Sequence, residues 1–384
     1  MRSRMWCVTG VAALLCGVDF GVGIGASGAA ADGGGRPALA YRAVILKSRI
    51  YGQSQAYGAC SRFWVGAALP RGHKSLSHAV LCRAGAGRIV GLPLPGPGGW
   101  AAMGTDGRSV VGCGDRGGAV LWSGNPLRAT VLAPAGSSLS VAFSVFGKCE
   151  VGLVQMGGSV AIHAVLWRGG AGGLVDLNPP GFDFSVARGV YGREEVGWGF
   201  RGRGKPHALT WHGTAASAMD INPRGFEESK AYGIWGRRVV GYGVKRAGAK
   251  HALLWTGPSR KVVDLNPPGY AQSVCYAISG AREVGMAIRR GGRVWHAMVW
   301  FGSAASAVDL QHAFAGPAFG SEACAVAPNG NIFGFTADLK IKRDFAVEWV
   351  PVGQGGRALR KDGASPAKQA QPEVAVAPSP TTHK

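Results

Sequence analysis

The sequence predicts an all-β chain folded as a seven-bladed β-propeller with four strands in each blade. Three observations carry that reading. A His-Ala-x-x-Trp segment returns at steps of 44, 44 and 45 residues, as His163–Trp167, His207–Trp211, His251–Trp255 and His296–Trp300. Around it, each of four strand-like segments occurs seven times. Finally, 64 of the 384 residues are Gly, which is poor in element interiors and suited to tight turns and close backbone approaches. A period near 44 residues that holds four strands is what a propeller blade requires.

The segment that starts at the His is strand A, with weaker copies at His78–Cys82, Gly118–Trp122 and Phe345–Trp349. Strand B is the apolar run that follows and ends at Asp176, Asp220, Asp264 or Asp309. Three of these acids lead into Asn-Pro-x-Gly, where Pro fixes φ and Gly permits φ > 0, so the segment reads as a turn. Nine residues beyond the Asp stands Ser185, Ser229 or Ser273, which opens strand C. Its seven copies centre on Ala56, Ala102, Ala142, Ala187, Ala231, Cys275 and Ala323. Strand D follows a tight turn, as in Val110–Gly114, Glu195–Gly199 and Val239–Gly243. These runs are short, rich in branched and aromatic residues, and punctuated by Gly and Pro, which are strand and turn signals.

The chain order from Tyr41 to Val350 is B-C-D-A, seven times over, so each blade is expected to run C-D-A-B outward from a central channel. The last blade lacks a B strand and Tyr41–Leu46 is left over at the start. Pairing the two closes the ring and covers an edge otherwise unpaired. In strand D, Gly faces one side and Trp198, Tyr242 or Met286 the other, a pattern expected to suit tapering blades packed face to face.

Residues 1–31 read as a signal peptide. Arg2 and Arg4 precede the mostly apolar Met5–Val18, and Ala29-Ala30-Ala31 offers a cleavage site before Asp32. Residues 32–40 are then a short linker, 41–350 the propeller, and 351–384 a Pro/Ala/Lys-rich tail expected to be disordered. The apolar run is short for a membrane span, and no other segment suits one. The expectation is a secreted or cell-surface monomer. Cys60, Cys82, Cys113, Cys149, Cys275 and Cys324 remain after cleavage, an even number that permits disulfides without fixing their pairing.

The repeat resembles the HAF-repeat family of bacterial extracellular proteins over Tyr41–Val350, through the His-Ala-x-Leu-Trp strand, the Asp-Leu that follows, and the Ala-x-Gly turn into Val-Val-Gly. The resemblance implies secretion or surface display and a propeller-like fold, and it names no reaction. The sequence departs from the pattern at Cys82, Gly118, Phe345 and Gln311-His312, so those blades are expected to be less regular.

A residue present in most blades is more economically read as holding the blade than as acting on a substrate. His163, His207, His251 and His296, with Asp176, Asp220, Asp264 and Asp309 thirteen residues on, are therefore expected to form a repeated hydrogen bond rather than a ring of metal ligands. Trp167, Trp211, Trp255 and Trp300 complete that structural signature. No nucleophile elbow, phosphate-binding Gly-Lys-Ser/Thr loop or Cys-x-x-Cys occurs, and no catalytic residue, cofactor or metal is expected. Trp198, Trp235 and Trp295 stand outside the signature and suit sugar stacking, though core positions are the more ordinary place for them.

The net charge of +21 is the remaining functional signal. The D-to-A loops carry Arg201, Arg203, Lys205, Lys245, Arg246, Lys250, Arg289, Arg290 and Arg293, with Lys74, Arg116, Lys340 and Lys342 in the weaker blades. Because these loops emerge on one face, that rim is expected to attract an anionic partner such as an acidic glycan or cell-surface polymer. The expected function is thus a binding or scaffold module. The alternative is an enzyme acting on an acidic polysaccharide at the channel, which needs single-copy polar groups where strand C offers mostly Ser, Ala, Tyr and Gly. A nucleic-acid partner fits the charge but not the export signal.

Overall fold

The computed structural model describes residues 40–352 except 74, 75, 86, 87, 116, 315–318 and 339–342. The expected signal peptide and nearly all of the expected tail lie outside the described residues. Seven four-stranded antiparallel sheets are present, six of them consecutive along the chain in the order C-D-A-B. In blade 4, for example, C is Phe184–Tyr191, D is Glu194–Phe200, A is His207–Trp211 and B is Met219–Asp220. Strand C of each blade touches strand C of both neighbours, so the ring closes around a channel. The seventh sheet is completed by Ala40–Ile45, which pairs antiparallel with Arg343–Val352 from Ala40↔Val352 to Ile45↔Val347. That last strand A runs to Val352, two residues past the boundary expected from composition.

Every strand C has a bulge at the same place. The ladder to strand D slips between Ala187 and Gly189, and at the equivalent step in the other six blades. One residue per blade is left out of the pairing: Tyr57, Met103, Phe143, Arg188, Tyr232, Tyr276 and Cys324. A bulge re-aims the side chain it carries, and these seven line the channel.

The bulge also accounts for the Gly of Val-Val-Gly and corrects the expectation that it tapers the blade. A Cβ on Gly197 would lie 1.9 Å from the carbonyl oxygen of Val186, across the C–D ladder of its own blade. The corresponding distance is 1.8–2.0 Å at Gly66, Gly112, Gly152, Gly241, Gly285 and Gly334. No side chain fits there, so all seven blades keep Gly.

The core lies between the blades. Trp64, Trp122, Trp167, Trp211, Trp255, Trp300 and Trp349 are all fully buried, one per blade. Where the indole N–H is paired it reaches the preceding blade: Trp167 donates to Leu132 O (3.0 Å) and Trp255 to Ile221 O (2.9 Å). The six cysteines from Cys60 to Cys324 are free thiols. Burial pushes the Cys82 thiol up to about 12, with Glu348 adding to the shift.

Candidate functional site

The repeated polar residues form a latch between blades. His163 Nδ1 lies 2.7 Å from Asp176 Oδ2, and the His207–Asp220, His251–Asp264 and His296–Asp309 pairs are 2.7, 2.8 and 2.7 Å apart. The second Asp176 oxygen accepts the Asn178 N–H, and the Asn178 carbonyl oxygen accepts the hydroxyl of Ser185 in the next blade. Ser185 in turn accepts the Ala164 N–H, beside the starting His. Ser229 and Ser273 do the same with Asn222 and Ala208, and with Asn266 and Ala252. Burial would raise the Asp309 carboxyl, but hydrogen bonds from His296, Tyr270 and Arg289 outweigh it and hold the group well below the usual carboxylate range. Asp264 is lowered in the same way, against burial, by His251, the Asn266 N–H and Lys245. Among the described residues no group of three or more His, Cys, Asp or Glu is placed to hold a metal ion.

The face that carries the D-to-A loops also carries the acidic B-to-C turns, and this divides the rim residues. Lys205 pairs with Glu227, Lys245 with Asp264 and Arg289 with Asp309. Lys250 lies over Tyr242 and Arg201 over Phe182. Arg203, Arg246 and Arg290 are exposed and make no ion pair among the described residues. Together with exposed Arg201 and Arg293 they occupy the loops of three consecutive blades, 4 to 6. Lys74, Arg116, Lys340 and Lys342 lie outside the described residues.

The channel holds what the sequence reading did not anticipate, a group of single-copy polar side chains. Its cavity has a volume of about 450 Å³ and is lined by strand C of all seven blades. Arg188 is the only cation in the lining among the described residues. Its guanidinium carbon stands 4.1 Å from the Phe143 ring centre and 5.3 Å from that of Tyr232. Its Nε and Nη1 are buried and have no hydrogen-bond partner among the described residues. Tyr232 and Tyr276 continue the wall, with ring centres 5.8 Å apart. Burial pushes the Tyr276 hydroxyl well up, and nearby Glu322 adds to the effect. On the far side Tyr57 donates to Gln55, and Gln55 Nε2 donates to Asp344 (2.8 Å). Burial pushes Glu322 up to about 8, with Asp344 adding to it, so its carboxyl is mostly protonated at neutral pH. Toward the C–D hairpins, on the face opposite the rim, Phe146, Tyr191 and Trp235 form a run of rings with centres 4.8 and 5.2 Å apart.

Of Trp198, Trp235 and Trp295, only Trp235 lines this cavity. Trp198 is buried and stacks on Phe184 (4.9 Å), and Trp295 packs half-buried against the same cluster. The signal that would have exposed the channel set is the residue that follows the central Ala or Cys in each strand C. It varies between small flanking residues, and only blade 4 puts a charge there.

The sequence matches no family model and no curated protein. Among solved structures it is similar to a puromycin hydrolase (14% identity, TM-score 0.53, covering 80% of this chain and 56% of that one). It is also similar to a Mycobacterium tuberculosis puromycin-hydrolyzing peptidase (13%, TM-score 0.50, 78% and 53%). The chain spans about half the length of these two proteins. The BP39L lectin from Burkholderia pseudomallei also matches (15%, TM-score 0.46, 83% and 97%). Likeness at these identities concerns the fold alone. The chain is a seven-bladed β-propeller.

Proposed function

We propose that this propeller is an exported binding or scaffold module of the HAF-repeat type whose D–A face holds an anionic polymer such as an acidic glycan. One observation supports the reading above the rest: Arg201, Arg203, Arg246, Arg290 and Arg293 stand exposed on the loops of three consecutive blades. Arg grips carboxylate, sulfate or phosphate oxygens with two parallel donors, and side chains spread over three blades suit a repeating ligand better than a single small one. Lys205, Lys245 and Arg289 are taken up by Glu227, Asp264 and Asp309 and contribute less. Exposed charges are screened over roughly 8 Å at physiological ionic strength, so retention falls steeply with salt. The test replaces the five exposed arginines with Gln and compares elution from a heparin column across a salt gradient. The wild type should elute late and the variant near the start, with unchanged melting. Co-elution of the two would mean that the charge is not a binding surface.

A further inference from the structure

The central channel opens a second question, on the opposite side of the molecule from the arginine arc. We infer that the channel is a binding pocket for a sugar acid, a pyranose ring that carries one carboxylate, with Arg188 as its anion anchor.

A charged group is costly to bury without partners, and a fold that needs only packing at the Arg188 position has Met103 and Phe143 as precedents in blades 2 and 3. Arg188 instead keeps two buried donors unpaired beside a cavity. Phe143 and Tyr232 hold the guanidinium from its flanks, which fixes its place without using its N–H groups.

The charge of the ligand follows from the count of cations. Among the described residues Arg188 is the one cation of the lining, so a single carboxylate finds a guanidinium partner, whereas a phosphate or a second acid group meets no second cation. Glu322 does not oppose an anion at neutral pH, because burial keeps its carboxyl mostly protonated. Asp106, in the C–D turn of blade 2, already accepts the backbone N–H groups of Arg108, Ser109 and Gly147.

The rest of the wall suits a hydroxylated ring. Tyr276, Gln55 and Glu322 present hydroxyl, amide and carboxyl groups that exchange hydrogen bonds with sugar hydroxyls. Phe146, Tyr191 and Trp235 supply flat apolar faces for the C–H side of a pyranose. A volume of about 450 Å³ lies within the range of small-ligand sites and holds one sugar unit with room for part of a second.

The test is titration calorimetry of the wild-type protein with glucuronate and with glucose at equal ionic strength. Glucuronate should bind at least about 10-fold more tightly, the value of a hydrogen-bonded charge pair. Arg188→Met keeps the bulk on Phe143 and should weaken glucuronate by about 10- to 100-fold while leaving glucose unchanged. Absence of glucuronate binding to the wild type would overturn the inference without any variant. So would equal affinity for the two sugars, or an Arg188→Met protein that melts normally and binds glucuronate as before. A glucuronate trimer separates the two sources of this chemistry. Equal affinity marks the end unit of a chain and lost affinity marks the free sugar, and either supports the pocket. The five-arginine variant of the D–A face should bind glucuronate normally, so failure of one site is distinguishable from failure of the other.

Discussion

Blades 3 to 6 and blades 7, 1 and 2 build the same sheets from different residues. In the first arc every blade has the His–Asp pair. In the second arc the Asp position is taken by Gly91 and Val131, which pair with strand A where Asp176 does in blade 3. Among the described residues His78 has only the Tyr51 hydroxyl, at 3.5 Å. The Ser latch is kept where Ala346 donates to Ser54 (3.1 Å) and Ala119 to Ser140 (2.9 Å), but between blades 1 and 2 Trp100 replaces the Ser. There only the backbone bond of that position is kept among the described residues, Trp100 N–H donating to Ser77 O (2.8 Å) as Ser185 N–H does to Ile162 O (2.8 Å). Two features never vary, the Gly opposite the bulge and one fully buried Trp per blade. The Trp need not even stay on its strand. Blade 1 has Cys82 at the usual place and Trp64 directly across the ladder from it. Sterics and apolar burial thus specify the blade, while the polar latch is an addition that the closing arc partly does without.

If that division is right, the closing arc depends most on Ala40–Ile45. Its Tyr41, Ala43 and Ile45 pack in the cluster that contains Trp349 and Leu310. Deleting residues 40–46 leaves Arg343–Val352 as an open edge and uncovers that cluster. The melting temperature should fall by about 10 °C or more, since a loss of several kcal/mol shifts a domain of this size class by about 2–4 °C per kcal/mol. Light scattering should detect self-association through the exposed edge. A deletion variant that stays monomeric and melts with the wild type would show that the ring does not need its closing strand.

The migrated Trp gives a sharper test. Trp64→Ala and Trp255→Ala should cost the same, about 3–5 kcal/mol each by urea unfolding, because both remove a fully buried indole. His251→Ala should cost only about 1 kcal/mol, the worth of one partly exposed hydrogen bond. Moving the indole back with Trp64→Val and Cys82→Trp together should recover most of the loss. A small cost at Trp64 alone would mean that blade 1 is held by something other than its Trp.

The fold was legible because its determinants recur. Seven spaced copies of Gly, with six each of Trp and Ala, outweigh any single weak segment, and the leftover strand at the start could be matched to the missing one at the end. The meaning of the Gly was not legible, because the carbonyl that excludes a Cβ belongs to a bulge, and a bulge leaves no separate mark in a run such as Ser-Val-Ala-Arg-Gly-Val. The rim was readable as charge but not as geometry. The acids that neutralise Lys245 and Arg289 end strand B of the same blade, and the acid beside Lys205 comes from the B-to-C turn before the next blade, so only the folded sheets bring them beside the D-to-A loops. Arg188 escaped for the opposite reason. Attention to what repeats passes over the one position whose value lies in not repeating.

The two arcs should also answer pH in opposite directions. Asp264 and Asp309, in blades 5 and 6, are held below the ordinary carboxylate range, so the folded state binds fewer protons than the unfolded chain as pH falls toward it. Their contribution is present above about pH 4 and is lost on acidification. Glu322 and Asp344, in blade 7, are raised by burial to about 8 and about 6. The folded state then keeps protons that the unfolded chain has released, so stability is highest near pH 4 and falls as pH rises toward 8. Glu195 and Glu283 of the regular arc are raised by burial too, but each accepts a backbone N–H, from Gly213 or Gly302, that opposes the rise. Glu322→Gln mimics the protonated carboxyl and removes its share of the slope. Between pH 6 and pH 8 the wild type should lose roughly 2 kcal/mol relative to the variant, at about 1.4 kcal/mol per pH unit while the protonation states differ. Urea unfolding of both proteins at the two pH values measures it. Parallel pH profiles would mean that Glu322 is ionised in the folded protein, and that the channel carries a negative charge opposite Arg188.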